Sequence, residues 1–240
     1  MMESDLSALK KNARLAGFWY LLWAMTGLYS MFYVPPKIIV PGDGAATGSN
    51  MLANEFLFRT LIMNDLVNIA ITVMLLSALY QLFARVHERQ AKLMVALLIV
   101  PLPAGFMMEA FNITSLMIFK GDVLKTLEVA QRQDVAMLLL KINDYATVTF
   151  ILFWGLWLFP LALLVYRSRF LPRLMGVWLA INGIAYVAQS VTAILLPRYK
   201  EVVFSLSWPA MLGEFAFLLW LLIRGANVQR GNEVASPSGD

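Results

Sequence analysis

Six long apolar runs, separated by short polar or charged stretches, organise this chain of 240 residues. They fall near Leu15–Val34, Phe56–Phe83, Leu93–Phe119, Val135–Tyr166, Leu174–Leu196 and Ser205–Ile223. A hydrocarbon core about 30 Å thick takes roughly 20 helical residues to cross, so each run predicts a membrane-spanning helix. The second, third and fourth are longer than a crossing needs and are expected to tilt, kink or project beyond the bilayer. Pro101 and Pro103 are placed to kink the third, and Pro160 the fourth. The expected fold is all-α: one polytopic domain of six transmembrane helices over residues 14–225. A cytoplasmic N-terminus covers 1–13, and a polar tail, 226–240, is expected to be disordered.

Two loops carry patterns of their own. Ala45, Ala46, Met51, Leu52 and Ala53 follow Asp43, which predicts a short helix with Asp43 as its N-cap. Between Gly121 and Lys141, Val123, Leu124, Leu127, Val135, Leu138 and Leu139 recur at near-helical spacing among charges, which predicts an amphipathic helix lying on the outer surface and leading into the fourth span. Basic residues set the orientation. Lys10, Lys11, Arg14, Arg85, Arg89, Lys92, Arg167, Arg169, Arg173, Arg224 and Arg230 all fall on one side. The positive-inside rule places that side, and both termini, in the cytoplasm. The first run is too long for a secretory leader, whose apolar part is about 7–15 residues, and it reads as a retained anchor. A short echo links Arg14–Trp19 to Arg173–Trp178, and Glu55–Phe58 to Glu214–Phe217 at the same offset.

Composition sharpens the class: 60% of residues are hydrophobic and 14% charged, against about 25% charged in a soluble domain. With no cysteine, disulfides, thiolate metal sites and cysteine nucleophiles are excluded. The one histidine, His87, falls in a short charged loop, which argues against haem and the usual zinc sets. No cofactor is implied. The net charge of +4 follows from basic helix ends and does not point to nucleic acid.

The candidate chemistry lies in four acids inside the apolar runs, Asp65, Glu109, Asp144 and Glu214. Burying such a group at mid-bilayer costs about 2.5 kcal/mol or more unless it finds a partner, a proton, an ion or water. Counted from the predicted span ends, each acid lies roughly 13–15 Å below the outer boundary. Asn64, Asn68 and Thr72 share the face of Asp65, Asn112 follows Glu109 by three, and Lys141 and Tyr145 flank Asp144. Asn182, Tyr186, Gln189 and Ser190 form a polar stripe on the fifth span. Arg59 and Lys141 are the candidate charge partners, and two cations against four acids leave a deficit that protonation or a bound cation would fill. The blander alternative is interhelical polar glue. The aromatics Trp19, Tyr20, Trp23, Tyr29 and Trp220 read as interfacial or packing residues. Hydrolase, phosphate-loop, zinc-protease and dinucleotide motifs are absent, so the sequence leans against an enzyme.

Ala13-Arg14-Leu15-Ala16-Gly17, Val40-Pro41-Gly42-Asp43, Asn143-Asp144-Tyr145, Phe170-Leu171-Pro172-Arg173-Leu174-Met175-Gly176 and Gly213-Glu214 together resemble a bacterial family of six-span membrane proteins catalogued as a domain of unknown function. The resemblance runs from about Ala13 to Gly225 and implies a bacterial inner-membrane protein. It implies no activity and no catalytic residues. Where this chain has Asn143-Asp144-Tyr145-Ala146, the family usually shows His-Asp-Tyr-Gly.

Three functional readings remain open on the sequence. The first is an inner-membrane protein binding a proton, cation or small polar ligand at the carboxylates, with Asn68, Asn112, Tyr145 and Gln189 as further candidates, for transport. The second is a non-catalytic subunit with structural acids that docks a protein partner or a second copy. The third, and weakest, is an intramembrane lipid-modifying enzyme.

Overall fold

A computed structural model describes residues 2–226. Beyond Ala226, the tail expected to be disordered lies outside the described residues. All regular elements among the described residues are helical. Four stretches are long and apolar enough to cross a membrane: Glu55–Lys120, Val129–Arg167, Arg173–Leu195 and Pro197–Ile223. Helices of this length and apolarity mark a membrane-embedded protein.

Helix α1 (Met2–Leu28) runs into a π-helical turn at Tyr29–Tyr33 and stops before Pro35-Pro36, which cannot continue it. The prolines open the short α2 (Pro35–Ile38). Asp43 then caps α3 (Gly44–Ala53), its carboxylate accepting the Ala46 N–H at 2.8 Å, as the sequence predicts.

The stretch Glu55–Lys120 has 66 residues, which as a straight helix would reach about 100 Å. It is broken twice. Within α4 (Glu55–Ile99) the backbone opens at His87 alone, with φ −163° and ψ 97°. Helix resumes at once, and His87 Nδ1 accepts the Gln90 N–H at 3.4 Å in the manner of a cap. The charged loop expected there is thus one residue wide. The second break, at Val100-Pro101, separates α4 from α5 (Leu102–Lys120), where Pro101 and Pro103 predict a kink. By contrast, α6 (Val129–Arg167) continues through Pro160. Then follow α7 (Arg173–Leu195) and α8 (Lys200–Ile223).

The amphipathic helix expected between Gly121 and Lys141, leading into the fourth span, begins only at Val129, as the start of α6. Gly121, at φ 76°, closes α5: its own N–H and that of Asp122 return to the Ile118 and Met117 carbonyls at 3.0 Å each. The chain stays irregular to Glu128, with Leu124 at φ 53°, and helix restarts at Val129 as the first turns of α6. Of the predicted apolar set only Val135, Leu138 and Leu139 fall in this helix, and Leu138 is exposed, while Met137 and Leu140, outside the set, pack into the core.

The chain forms two compact units, each assembled from separated segments. The first comprises residues 1–22, 72–100 and 148–240. Its buried side chains include Tyr20, Leu79, Phe83, Trp157 and Phe217. A methyl group at Gly17 would stand 2.5 Å from the backbone nitrogen of Leu222, so α1 and α8 touch backbone to backbone there. The second comprises 23–71 and 101–147, with Val34, Ile38, Met51, Phe58, Leu116 and Leu140 at its core. Lipid solvates apolar side chains as well as protein does, so close approach and polar contacts, more than hydrophobicity, select which faces meet.

Candidate functional site: a carboxyl pair and a saturated carboxylate

The second unit fixes the register of two antiparallel helices with an ion pair. Glu55, at the start of α4, meets Lys120, at the end of α5, at 3.0 Å and Arg59 at 2.8 Å. Hydrogen bonds from Lys120 and Arg59 lower the Glu55 pKa below its ordinary value. From this anchor, Asp65 lies ten residues along α4 and Glu109 eleven residues back along α5. Both distances are about 15–16 Å at 1.5 Å per residue, so the two acids arrive at one level and face each other. Their carboxyl groups lie close enough to act on each other.

Amide and hydroxyl groups surround the pair. Ser30, in the π-helical turn, donates to Asp65. The widened turn sets the Ser30 hydroxyl facing α4; such turns recur where a helix must present a side chain for function. Asn64 Nδ2 bonds to Ser30 Oγ at 2.7 Å and to the Thr26 carbonyl at 2.9 Å. On the other side, Asn112 Nδ2 donates to Glu109 Oε2 at 3.0 Å, and Asn143 Nδ2 donates to Asn112 Oδ1 at 2.7 Å. Asn143 also reaches the Met108 carbonyl at 3.3 Å. Glu109 and Asn112 are buried; Asp65 is partly buried. The result is a chain of polar groups from α1 through α4 and α5 to α6, with an acid–acid contact at its centre.

The first unit treats its acid differently. Glu214, buried on α8, accepts hydrogen bonds from Tyr20 of α1 and from Asn182 Nδ2 of α7 at 2.8 Å, with Tyr186 nearby one turn further along α7. Donors surround this carboxyl group, and no second acid contributes. Tyr20 is held by edge contact with Phe217 and by Trp157. The group ties α1, α7 and α8 together.

The remaining candidates fall outside both groups. Asp144 is exposed and pairs with Lys141 at 3.2 Å, one turn earlier on α6. Lys141 also lies 5.1 Å from the exposed Tyr145 ring. The reason is length. The uncharged run begins only after Asp144, and roughly 20 residues from Ala146 to Tyr166 already suffice for a crossing. Arg59 is spent on Glu55. Asn68 holds α4 to α1 through the Trp23 carbonyl at 3.1 Å and Thr26 Oγ1 at 2.6 Å. Gln189 is buried and contacts Met211 Sδ at 3.9 Å.

Ser30 and Tyr20 are the participants the sequence reading passed over. Thr26 and Ser30 stand four apart on an otherwise apolar face, a signal that a search of the first span for paired hydroxyls would have caught. Tyr20 offered no such signal, since a buried and an interfacial tyrosine look alike in sequence. Among the described residues, no three His, Asp or Glu side chains are grouped to hold a metal ion.

No curated protein and no solved structure matches this chain. The family model for DUF4386, a domain of unknown function, matches residues 15–225, and the chain belongs to that family.

Proposed function

We propose that this protein is a six-span inner-membrane protein, with both termini in the cytoplasm, that binds an exchangeable proton at the Asp65–Glu109 pair, in the service of transport. The six crossings are α1 with its π-helical turn, the two arms of the stretch Glu55–Lys120 on either side of His87, α6, α7 and α8. The reading is carried by one observation: two carboxyl groups adjoin each other within the polar chain of Ser30, Asn112 and Asn143. Two ionised carboxylates repel, and a pair this close is relieved by a proton held between them. The groups around them, Ser30 O–H and Asn112 N–H, donate toward the acids, which suits a proton better than a metal cation. A small cation or polar ligand would take the proton's place only if those groups turned their oxygens inward.

The test is thermal stability in nanodiscs between pH 5 and 9, with sodium, potassium, magnesium or calcium added in turn. The wild-type midpoint is expected to move with pH, and the movement to vanish in Asp65→Asn and in Glu109→Gln. A wild-type curve that is flat in pH and in every cation would end the proposal.

A second reading is a docking subunit. It is supported by the exposed Lys141–Asp144 pair and Tyr145 at the edge of the α6 apolar run. A stoichiometric partner that copurifies with wild type and is lost in Lys141→Gln/Asp144→Asn would favour it.

A further inference from the structure

At the end of the helices marked by the Glu55–Lys120 pair, a cleft of about 270 Å³ opens between α3, the last turn of α5 and the first turn of α6. Its walls include Ala45, Leu52, Phe119, Val129, Arg132 and Gln133. We propose that this cleft holds the headgroup of an anionic phospholipid, with Arg132 on the phosphate.

Place, charge and shape converge on this. The cleft sits where the apolar run of α5 ends in Phe119-Lys120-Gly121, the level at which a bilayer presents its headgroups. Arg132 is the one formal charge on its walls. The neighbouring cations Arg59 and Lys120 both pair with Glu55, whereas Arg132 makes no ion pair among the described residues, not even with Glu128 one turn earlier. A guanidinium without a carboxylate suits a phosphate, which it can grip with two parallel N–H bonds. Gln133 adds an amide donor beside it.

The backbone makes room for the group. A methyl on Gly121 would stand 2.8 Å from an Arg132 guanidinium nitrogen, so the left-handed glycine that ends α5 also seats Arg132. Leu52 and Val129 are exposed on the walls, and they offer an acyl chain a continuous apolar path out of the cleft. The volume suits a headgroup rather than a larger metabolite, for which pockets of about 300–1,000 Å³ are usual.

The experiment is native mass spectrometry of the full chain, extracted from nanodiscs of equal phosphatidylglycerol and phosphatidylcholine. Wild type is expected to retain phosphatidylglycerol about fivefold over phosphatidylcholine, the preference one surface cation confers. Arg132→Gln should bring the ratio to about one, and Ala45→Trp, which fills the cleft from an exposed position, should abolish retention. Melting of both variants checks their folding, and the wild-type ratio decides independently of them. Equal retention of the two lipids by wild type, unchanged preference in folded Arg132→Gln, or displacement of the lipid by millimolar inorganic phosphate would overturn the proposal, the last by showing a site for a free anion.

Discussion

Glu214 and the Asp65–Glu109 pair are made of the same functional group and are set in opposite surroundings. Glu214 meets only donors, Tyr20, Tyr186 and Asn182. Its oxygens take hydrogen bonds drawn from two other helices, and the contact clamps those helices. Asp65 and Glu109 each have donors too, but they also meet each other. A group held by donors alone resists change. A pair that must share a proton is built to gain or lose one. Two acids of similar burial can therefore be structural in one unit and chemical in the other, and the company they keep makes the difference.

That contrast breaks most readily at Glu214. Replacing it with Leu removes the acceptor of the Tyr20 phenol and of the Asn182 amide, each lost buried bond costing about 1–3 kcal/mol. The expected loss is about 3 kcal/mol or more in denaturant titration of micelle-embedded protein, while Asp65→Asn stays within about 1 kcal/mol of wild type. Equal losses for the two would erase the distinction.

Next comes the approach that brings Tyr20 to Glu214. Gly17→Leu forces a side chain into the α8 backbone, and overpacking of this kind costs about 1–3 kcal/mol. If the variant melts like wild type, α1 and α8 do not meet at Gly17.

Tyr20→Phe deletes one donor to Glu214 and keeps the ring. It is expected to cost about 1 kcal/mol, with no change in the pH response assigned to Asp65 and Glu109. A change in that response would mean the two groups titrate together.

The smallest effect belongs to the register pair. Lys120 and Arg59 lower the Glu55 pKa. A depressed carboxylate stabilises the fold above its unfolded pKa, about 4.3. That contribution fades as pH falls through the lower folded value. Wild type should therefore lose a little stability on the acid side of pH 4.3, and Glu55→Gln should lack that step. An unchanged acid limb in the variant would show that the pair does not hold the α4–α5 register.

The echo between Glu55–Phe58 and Glu214–Phe217 shows how far local sequence reaches. Both acids are followed by the same Phe-X-Phe pattern. One lies at the chain's polar boundary, paired with Lys120 and Arg59; the other is buried beside Tyr20. Local sequence offers Glu55 only Arg59, because Lys120 lies 65 residues from Glu55 and Tyr20 lies 194 from Glu214.

What the sequence settled by itself was the kind of protein and the local stops and starts. Apolar runs longer than a bilayer crossing leave no alternative to membrane helix, since the backbone must satisfy itself. Asp43 acts within a few residues, so its cap could be read directly. Asp65, Glu109 and Glu214 were legible as groups in need of partners. Which partners they found was decided by tertiary structure alone. An acid's depth gives its level along a helix and not its direction around it, so four acids at one expected level did not have to meet. Asp144 turned outward to Lys141, and Glu214 went to Tyr20. Only Asp65 and Glu109, brought to one height by an ion pair ten and eleven residues away, came face to face.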